Sequence, residues 1–351
     1  MSNVAGPTPT LLLLLCAVVM HVHSRPHHSD PVIPACGNTV RRTCSDSNCS
    51  WPQRSYLLRM PSHDRCTAGL PLPVALAIHC FGCSENMEIT KFAAAADRQG
   101  IALVAPAGMH HSWNAPHCCG NARQQQLDDV GFIDALVADL LESGDGRRRF
   151  DSGALFATGF SNGGFLTSQL AEASRRVWAG IAPTAGHEYH VQRTQPLPVA
   201  IHHCVNDHHV NMSGCCRRGD QPDSPSSCCC GIAAAACVST QDIFERWLKI
   251  NRCRGKVASL RRVAMDLTPY RSPPNAVCQL GRECVAETWF CVHQTCTAHQ
   301  DWVSSFPGAD AVMSFFARRW FASLARRADQ PPFNYEVDLD WNKSAGLGVA
   351  A

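Results

Sequence analysis

The sequence predicts an α/β fold, with a mainly parallel central sheet, helices on both faces and disulfide-rich insertions. Three observations carry this expectation. Short continuous apolar runs recur at residues 74–79 (VALAIH), 101–106 (IALVAP), 154–158, 177–185 (VWAGIAPTA) and 197–203 (LPVAIHH), as strands buried on both faces of a parallel sheet require. Segments with apolar residues at helical spacing alternate with these runs, which points to right-handed crossovers in a three-layer arrangement. At residues 154–171 (ALFATGFSNGGFLTSQLA) a strand-like run breaks at Gly159, presents Ser161, and resumes after Gly163 and Gly164 in a helix-compatible segment.

Taken in order, residues 10–20 (TLLLLLCAVVM) form a short apolar core followed by Val22 and Ser24, which suit a cleavable secretion signal over 1–24. The flanking residues lack Lys and Arg, so an uncleaved anchor or a misread start is the alternative. Residues 25–70 are rich in His, Pro, Ser and Cys and read as a disulfide-pinned extension with one strand near 54–60. Residues 87–99 and 128–141 read as helices, the second with acids in its first turn. The basic cluster 147–149 reads as a solvated turn. Residues 211–237 hold six cysteines among Ser and Pro and read as a disulfide-tied surface insertion. Residues 240–251 read as a helix capped at Thr240, residues 288–293 as the last strand, and residues 309–325 as a closing amphipathic helix. The tail 328–351 lacks the length and hydrophobicity of a lipid-anchor signal.

The chain has 351 residues, a net charge of +2 and 21 cysteines, one of them (Cys16) inside the expected signal. A charge this small excludes nucleic acid or an anionic surface as an obvious partner. An even number of cysteines in the mature chain points to disulfides and a secretory compartment. Sequons at Asn48, Asn211 and Asn342 fit that compartment. A zinc site using His208 or His209 with the insertion cysteines is a weaker alternative, since no Cys-x-x-Cys pair repeats there. His202, His208 and His209 read as loop or solvent-facing histidines.

The 154–171 stretch carries the chemistry. Glycines on both sides of a serine allow strand and helix to approach closely around a strained turn that lifts the hydroxyl clear of the backbone. A serine so placed needs a histidine to take its proton and an acid to hold that histidine, in the chain order Ser, Asp, His. Ser161, Asp207 and His299 satisfy that order, each just past a predicted strand. An Asp after a strand can equally be a turn or cap residue, and His293 competes with His299 as the base. The backbone amides of Asn162 and Phe81 are the expected oxyanion donors, and Trp113 is expected to line the substrate pocket or to serve structurally.

The segments HCFGCSENM, SWNAPHCCG, DDVGFIDALV, ATGFSNGGFLTSQLA, HCVNDHHV, FERWLKINRC and the closing HQDW and FFARRW resemble, in order, the secreted feruloyl esterase and polyhydroxybutyrate depolymerase family of α/β-hydrolases. The resemblance spans residues 72–325. It implies an α/β-hydrolase domain over 71–327, no metal and no cofactor, and a monomer. The implied activity is a serine ester hydrolase acting on phenolic esters of plant polysaccharide, with polyester or acetyl-xylan esters as alternatives. It carries the nucleophile to Ser161, the acid to Asp207 and the base to His299. Two departures share one form: His-Gly pairs of the family have become His79-Cys80 and His203-Cys204. Cys80 therefore puts the oxyanion loop in question, and an inactive hydrolase fold used as an extracellular binding module is the rival of another class.

Overall fold

The computed structural model describes residues 33–44, 54–115, 118–142, 144–186, 192–214, 238–254, 258–260 and 275–328. The expected signal, most of the cysteine-rich insertion and the tail beyond 328 lie outside them, as do the sequons at Asn48 and Asn342.

Among the described residues, ten strands form one sheet: β1 (Thr39–Thr43), β2 (Ser55–Arg59), β3 (Leu72–Ile78), β4 (Ala102–Pro106), β5 (Phe150–Phe160), β6 (Gly180–Thr184), β7 (Val199–Cys204), β8 (Ala258–Leu260), β9 (Ala276–Leu280) and β10 (Thr288–His293). Their spatial order is β1-β2-β4-β3-β5-β6-β7-β10-β9-β8. The six strands from β4 to β10 pair in parallel, while β1 and β2 at one edge and β9 and β8 at the other run antiparallel. The segment read as an extension thus supplies two strands of the main sheet, and 288–293 is followed outward by two strands that precede it in the chain.

Among the described residues, eight α-helices accompany the sheet: α1 (Asp64–Thr67), α2 (Glu85–Gln99), α3 (Gly120–Gln124), α4 (Asp129–Glu142), α5 (Gly146–Arg149), α6 (Asn162–Ala173), α7 (Thr240–Ile250) and α8 (Ala309–Ala328). Alternation along β3 shows how the two layers form. Val74, Leu76 and Ile78 join one core with Phe132, Leu136 and Leu140 of α4, Phe165 and Leu166 of α6, and Phe244 and Trp247 of α7. Ala75 and Ala77 join the opposite core with Ile89 and Phe92 of α2 and Phe315, Phe316 and Trp320 of α8. Small alanines on that side let the helices sit close to the strands, and every β3 side chain is buried. This layering, with its strand order and parallel crossovers, is the α/β-hydrolase fold.

Two local readings change. The α7 cap is Ser239 and not Thr240: its hydroxyl accepts the Asp242 N–H at 3.1 Å while the Asp242 carboxylate accepts the Ser239 N–H at 3.1 Å. The basic cluster 147–149 is the short helix α5, and Arg149 turns inward to donate to the Cys66 carbonyl at 3.2 Å.

Candidate active site

The turn between β5 and α6 places Ser161 at φ 54° and ψ −118°, a conformation that a non-glycine residue holds only when its surroundings enforce it. The enforcement is steric and local. A Cβ on Gly163 would run into the carbonyls of Ile78 and His79, and one on Gly164 would meet the Thr184 carbonyl at 2.7 Å. The Ser161 N–H is tied to the Thr184 carbonyl at 2.9 Å. β3, β5 and β6 therefore converge on the serine. Asn162 opens α6, so its N–H has no acceptor within the helix and faces outward at the positive end of the dipole.

Three residues distant in sequence meet here. The Ser161 hydroxyl lies 2.8 Å from His299 Nε2, and His299 Nδ1 lies 2.6 Å from Asp207 Oδ2. An ionised carboxylate only accepts, so Nδ1 carries the proton and Nε2 is left to accept from the serine. The other Asp207 oxygen accepts the N–H groups of His209 and Val210 at 2.9 and 2.8 Å. Burial pushes the Asp207 carboxyl up, but the His299 hydrogen bond and charge, with His203 and the Val210 N–H, outweigh it and hold it below the usual carboxylate range. The 3-10 turn His299–Trp302 is fixed by its own Asp301, whose Oδ2 accepts from the Thr297 and Ala298 N–H groups and the Thr297 hydroxyl. Phe160 packs against the His299 ring at 4.8 Å.

His293 is not brought to the serine. It is buried, its Nε2 lies 3.1 Å from His202 Nδ1, and its ring packs on Trp302 and Phe306. The expectation that His202 faces solvent is corrected in the same way: it sits inward on β7 with no exposed surface. His208 and His209 are exposed, and the His209 ring lies 5.4 Å from that of His299.

Trp113 is also corrected. It has 0% exposure, so it cannot touch a substrate, and it holds the site together from behind. Its indole N–H donates to the His79 carbonyl at 2.9 Å, and its backbone exchanges hydrogen bonds with the Asn162 side chain at 2.8 and 3.0 Å. Arg54, which sequence reasoning did not single out, completes this support. Its guanidinium is 2.6 Å from Asp129 with neither side chain exposed, and it lies 3.7 Å from the centre of the Phe132 ring. Asp129 also accepts the Asn114 N–H, which ties the SWNA loop to the start of α4. Only the pairing of Arg54 with the acidic DDVGF segment could have signalled this, and β2 and α4 are far apart in the chain.

The loop after β3, expected to supply an oxyanion donor, departs from expectation. Cys80 is half of a disulfide with Cys83, and the positive φ of this turn, 74°, falls on Gly82 and not on Cys80. Burial pushes the neighbouring His79 imidazole down to about 4, so it stands neutral. Its Nδ1–H donates to the Cys80 carbonyl at 2.8 Å and its Nε2 accepts the Gly108 N–H at 2.9 Å. Phe81, at the crest of the loop, is half exposed. The second His-Cys pair also ends in a disulfide, between Cys204 and Cys296. With Cys36–Cys66, Cys118–Cys119, Cys253–Cys284 and Cys278–Cys291, six disulfides link described residues, which is compatible with an extracellular protein.

No family model matches the chain. A putative esterase, NocK, from Nocardia uniformis subsp. tsuyamanensis is 35% identical over 133 residues, covering 36% of this chain and 38% of that protein. The chain thus spans little more than a third of the length of this relative. Among solved structures, acetyl xylan esterase from Aspergillus awamori superposes with a TM-score of 0.45 at 12% identity, over 76% of this chain and 99% of that one. An S-formylglutathione hydrolase from Agrobacterium tumefaciens gives a TM-score of 0.44 at 10% identity, over 82% and 97%. At such scores these likenesses add nothing to a fold that rests on this chain's own strand order.

Proposed function

We propose that this protein is a secreted carboxylic ester hydrolase that works through Ser161, His299 and Asp207 and an acyl-enzyme. The observation that carries the reading is the unbroken relay from the Ser161 hydroxyl through His299 to Asp207, at 2.8 and 2.6 Å, on a strained strand-to-helix turn. The partial similarity to the putative esterase NocK points the same way.

In this mechanism His299 Nε2 takes the Ser161 proton as Oγ attacks the ester carbonyl. Asp207 stabilises the imidazolium and keeps its Nδ1–H directed inward. The N–H groups of Asn162 and Phe81 receive the tetrahedral oxyanion; one such donor is typically worth about 3 to 4 kcal/mol. His299 then returns the proton to the departing alcohol, and water enters by the same route in reverse. Every step uses groups of the chain itself.

For substrate we propose phenolic esters, such as feruloyl groups on plant polysaccharide. The resemblance of the Trp-Asn-Ala, Asp-Asp-Val-Gly-Phe and Gly-Phe-Ser-Asn-Gly-Gly segments supports this class, and the half-exposed Phe81, whose N–H is the proposed oxyanion donor, would offer an aromatic acyl group a stacking surface. Polyester and acetyl-xylan esters are the alternatives. The test is a serine-reactive fluorophosphonate on wild type and Ser161→Ala, followed by rates on methyl ferulate, short-chain nitrophenyl esters and hydroxybutyrate oligomers. Labelling confined to wild type with methyl ferulate as the best substrate is the expected result. An unlabelled wild type, or equal labelling of both proteins, would sink the esterase; preference for hydroxybutyrate oligomers would move the substrate to polyester.

A further inference from the structure

We propose that the Cys204–Cys296 disulfide is a positioning clamp for the Asp207–His299 pair, and that opening it with a dithiol lowers turnover. The inference rests on the reading of these residues given above. Each cysteine stands three positions before the residue it would position, Cys204 before Asp207 and Cys296 before His299, so one covalent bond joins the two loops at matching points. The two cysteines are 92 residues apart in the chain, and their loops follow strands that pair in parallel, with Cys204 opposite His293. Beyond the strand ends, the other ties between them among the described residues are three single hydrogen bonds, Val205 N–H to the His293 carbonyl at 3.1 Å, Asn206 Nδ2 to the Cys296 carbonyl at 3.2 Å and the Asp207–His299 bond itself, and the contact of the exposed His209 ring with His299 at 5.4 Å. Asp301 rigidifies the His299 turn internally but does not attach it to β7. Without the bridge, a relay that needs 2.6 and 2.8 Å spacings depends on those few bonds.

Both cysteines are buried, Cys204 at 0% exposure and Cys296 at 5%, but Cys296 is among the residues lining an open cavity of about 440 Å³, with Lys91, Asp301, Trp302, Ser304 and Phe306, so a reagent reaches the bridge from that side. A dithiol entering this cavity attacks Cys296 Sγ as a thiolate, and Cys204 leaves as a thiolate and takes up a proton. The second thiolate of the reagent then attacks the mixed disulfide and releases Cys296. The protein disulfide gains two electrons and two protons, and the dithiol ends as its own cyclic disulfide. A bridge that served stability alone would lower the melting temperature when opened and leave the folded enzyme's kcat unchanged.

The test titrates the intact secreted protein with dithiothreitol, maps alkylated cysteines by mass spectrometry, and measures kcat and KM on a nitrophenyl ester alongside circular dichroism. As Cys204 and Cys296 become alkylatable, kcat should fall roughly tenfold to a hundredfold with KM little changed and the fold retained, since displacement on the order of 1 Å costs that much. Reoxidation before alkylation should restore it. C204A/C296A should start at the low kcat and ignore dithiothreitol, while C36A/C66A should lose activity on reduction as wild type does. If the double variant fails to fold, the wild-type titration decides alone. Unchanged kcat once both cysteines are alkylated, or loss only in step with unfolding, overturns the clamp. Ser161→Ala in the same assay separates the two levels: retained turnover overturns the underlying reading, and a dead Ser161→Ala beside an inert disulfide overturns the clamp by itself.

Discussion

Replacing Asp207 by Asn examines the relay at the point where geometry makes the sharpest statement. The Asp207 carboxylate divides its duties: Oδ1 accepts two backbone N–H groups, from His209 and Val210, and Oδ2 accepts the His299 Nδ1–H. An asparagine must therefore keep its carbonyl oxygen toward the two N–H groups, because its amide there would oppose two donors. Its NH₂ then faces His299 Nδ1, which becomes an acceptor, and the proton moves to Nε2. In that tautomer Nε2 points a hydrogen at Ser161 and cannot take the hydroxyl proton. The shape of the loop survives, since both backbone bonds persist, but the base does not. The expected loss in kcat is about 10⁴-fold, or roughly 5 kcal/mol at about 1.4 kcal/mol per decade, with KM and melting temperature near wild type. Steady-state hydrolysis of a nitrophenyl ester, read beside a thermal melt, measures it. A loss under about tenfold in a folded Asp207→Asn protein would refute the assignment of Asp207 as the acid.

Other expectations follow from the same contacts. Burial pushes the imidazoles of His79, His203 and His293 down to about 4, against 6.5 in an unfolded chain. Between those values the unfolded chain binds more protons, so stability is full above pH 6.5 and is lost as pH falls toward 4, by about 3 kcal/mol per histidine. Three such terms rival the roughly 5 to 15 kcal/mol that hold a domain together, so melting temperature should drop steeply over that window, and a flat profile from pH 6.5 to 4.5 would contradict it. Asp129→Ala leaves Arg54 charged and unpaired where neither side chain is exposed, and should cost about 3 to 5 kcal/mol in a denaturant titration. Gly163→Ala pushes a methyl group into the Ile78 and His79 carbonyls; a stability loss of about 1 to 3 kcal/mol with abolished fluorophosphonate labelling is expected, and normal labelling would show that the turn can open at no cost.

What could be read from the sequence was what local pattern controls. The runs 74–79, 101–106 and 197–203 appear as β3, β4 and β7 because a strand buried on both faces must be apolar throughout. The turn at Ser161 was legible because only glycine fits where carbonyls of β3 and β6 close in. β1 (TVRRT) escaped because it is an edge strand whose exposed face is Thr39, Arg41 and Thr43 and whose inward face carries Arg42 beside Val40, and β8 and β9 because short antiparallel strands at a sheet edge leave little periodicity. Long-range pairing was the larger blind spot. Nothing near Cys80 or Cys204 says that the lost glycines had become disulfides, and nothing near His202 says that it turns inward to meet His293 across the β7–β10 register. His293 and His299 part by those same few ångströms: one ring packs on Phe306 in the core and the other lies 2.8 Å from the Ser161 hydroxyl, which is why the proposed base is His299. Trp113 was left between a pocket-lining and a structural reading because a tryptophan beside such a loop looks the same in sequence either way, and its full burial favours the structural one.

The central claim is that Ser161 forms a covalent acyl intermediate. Rapid acid quench of the protein during turnover of a nitrophenyl or feruloyl ester, followed by peptide mass spectrometry, measures it most directly. The account predicts an acyl mass increment on Ser161 during turnover, accumulating in a burst wherever deacylation is slow and absent from Ser161→Ala. Turnover by Ser161→Ala, or an increment carried by another residue, would contradict it.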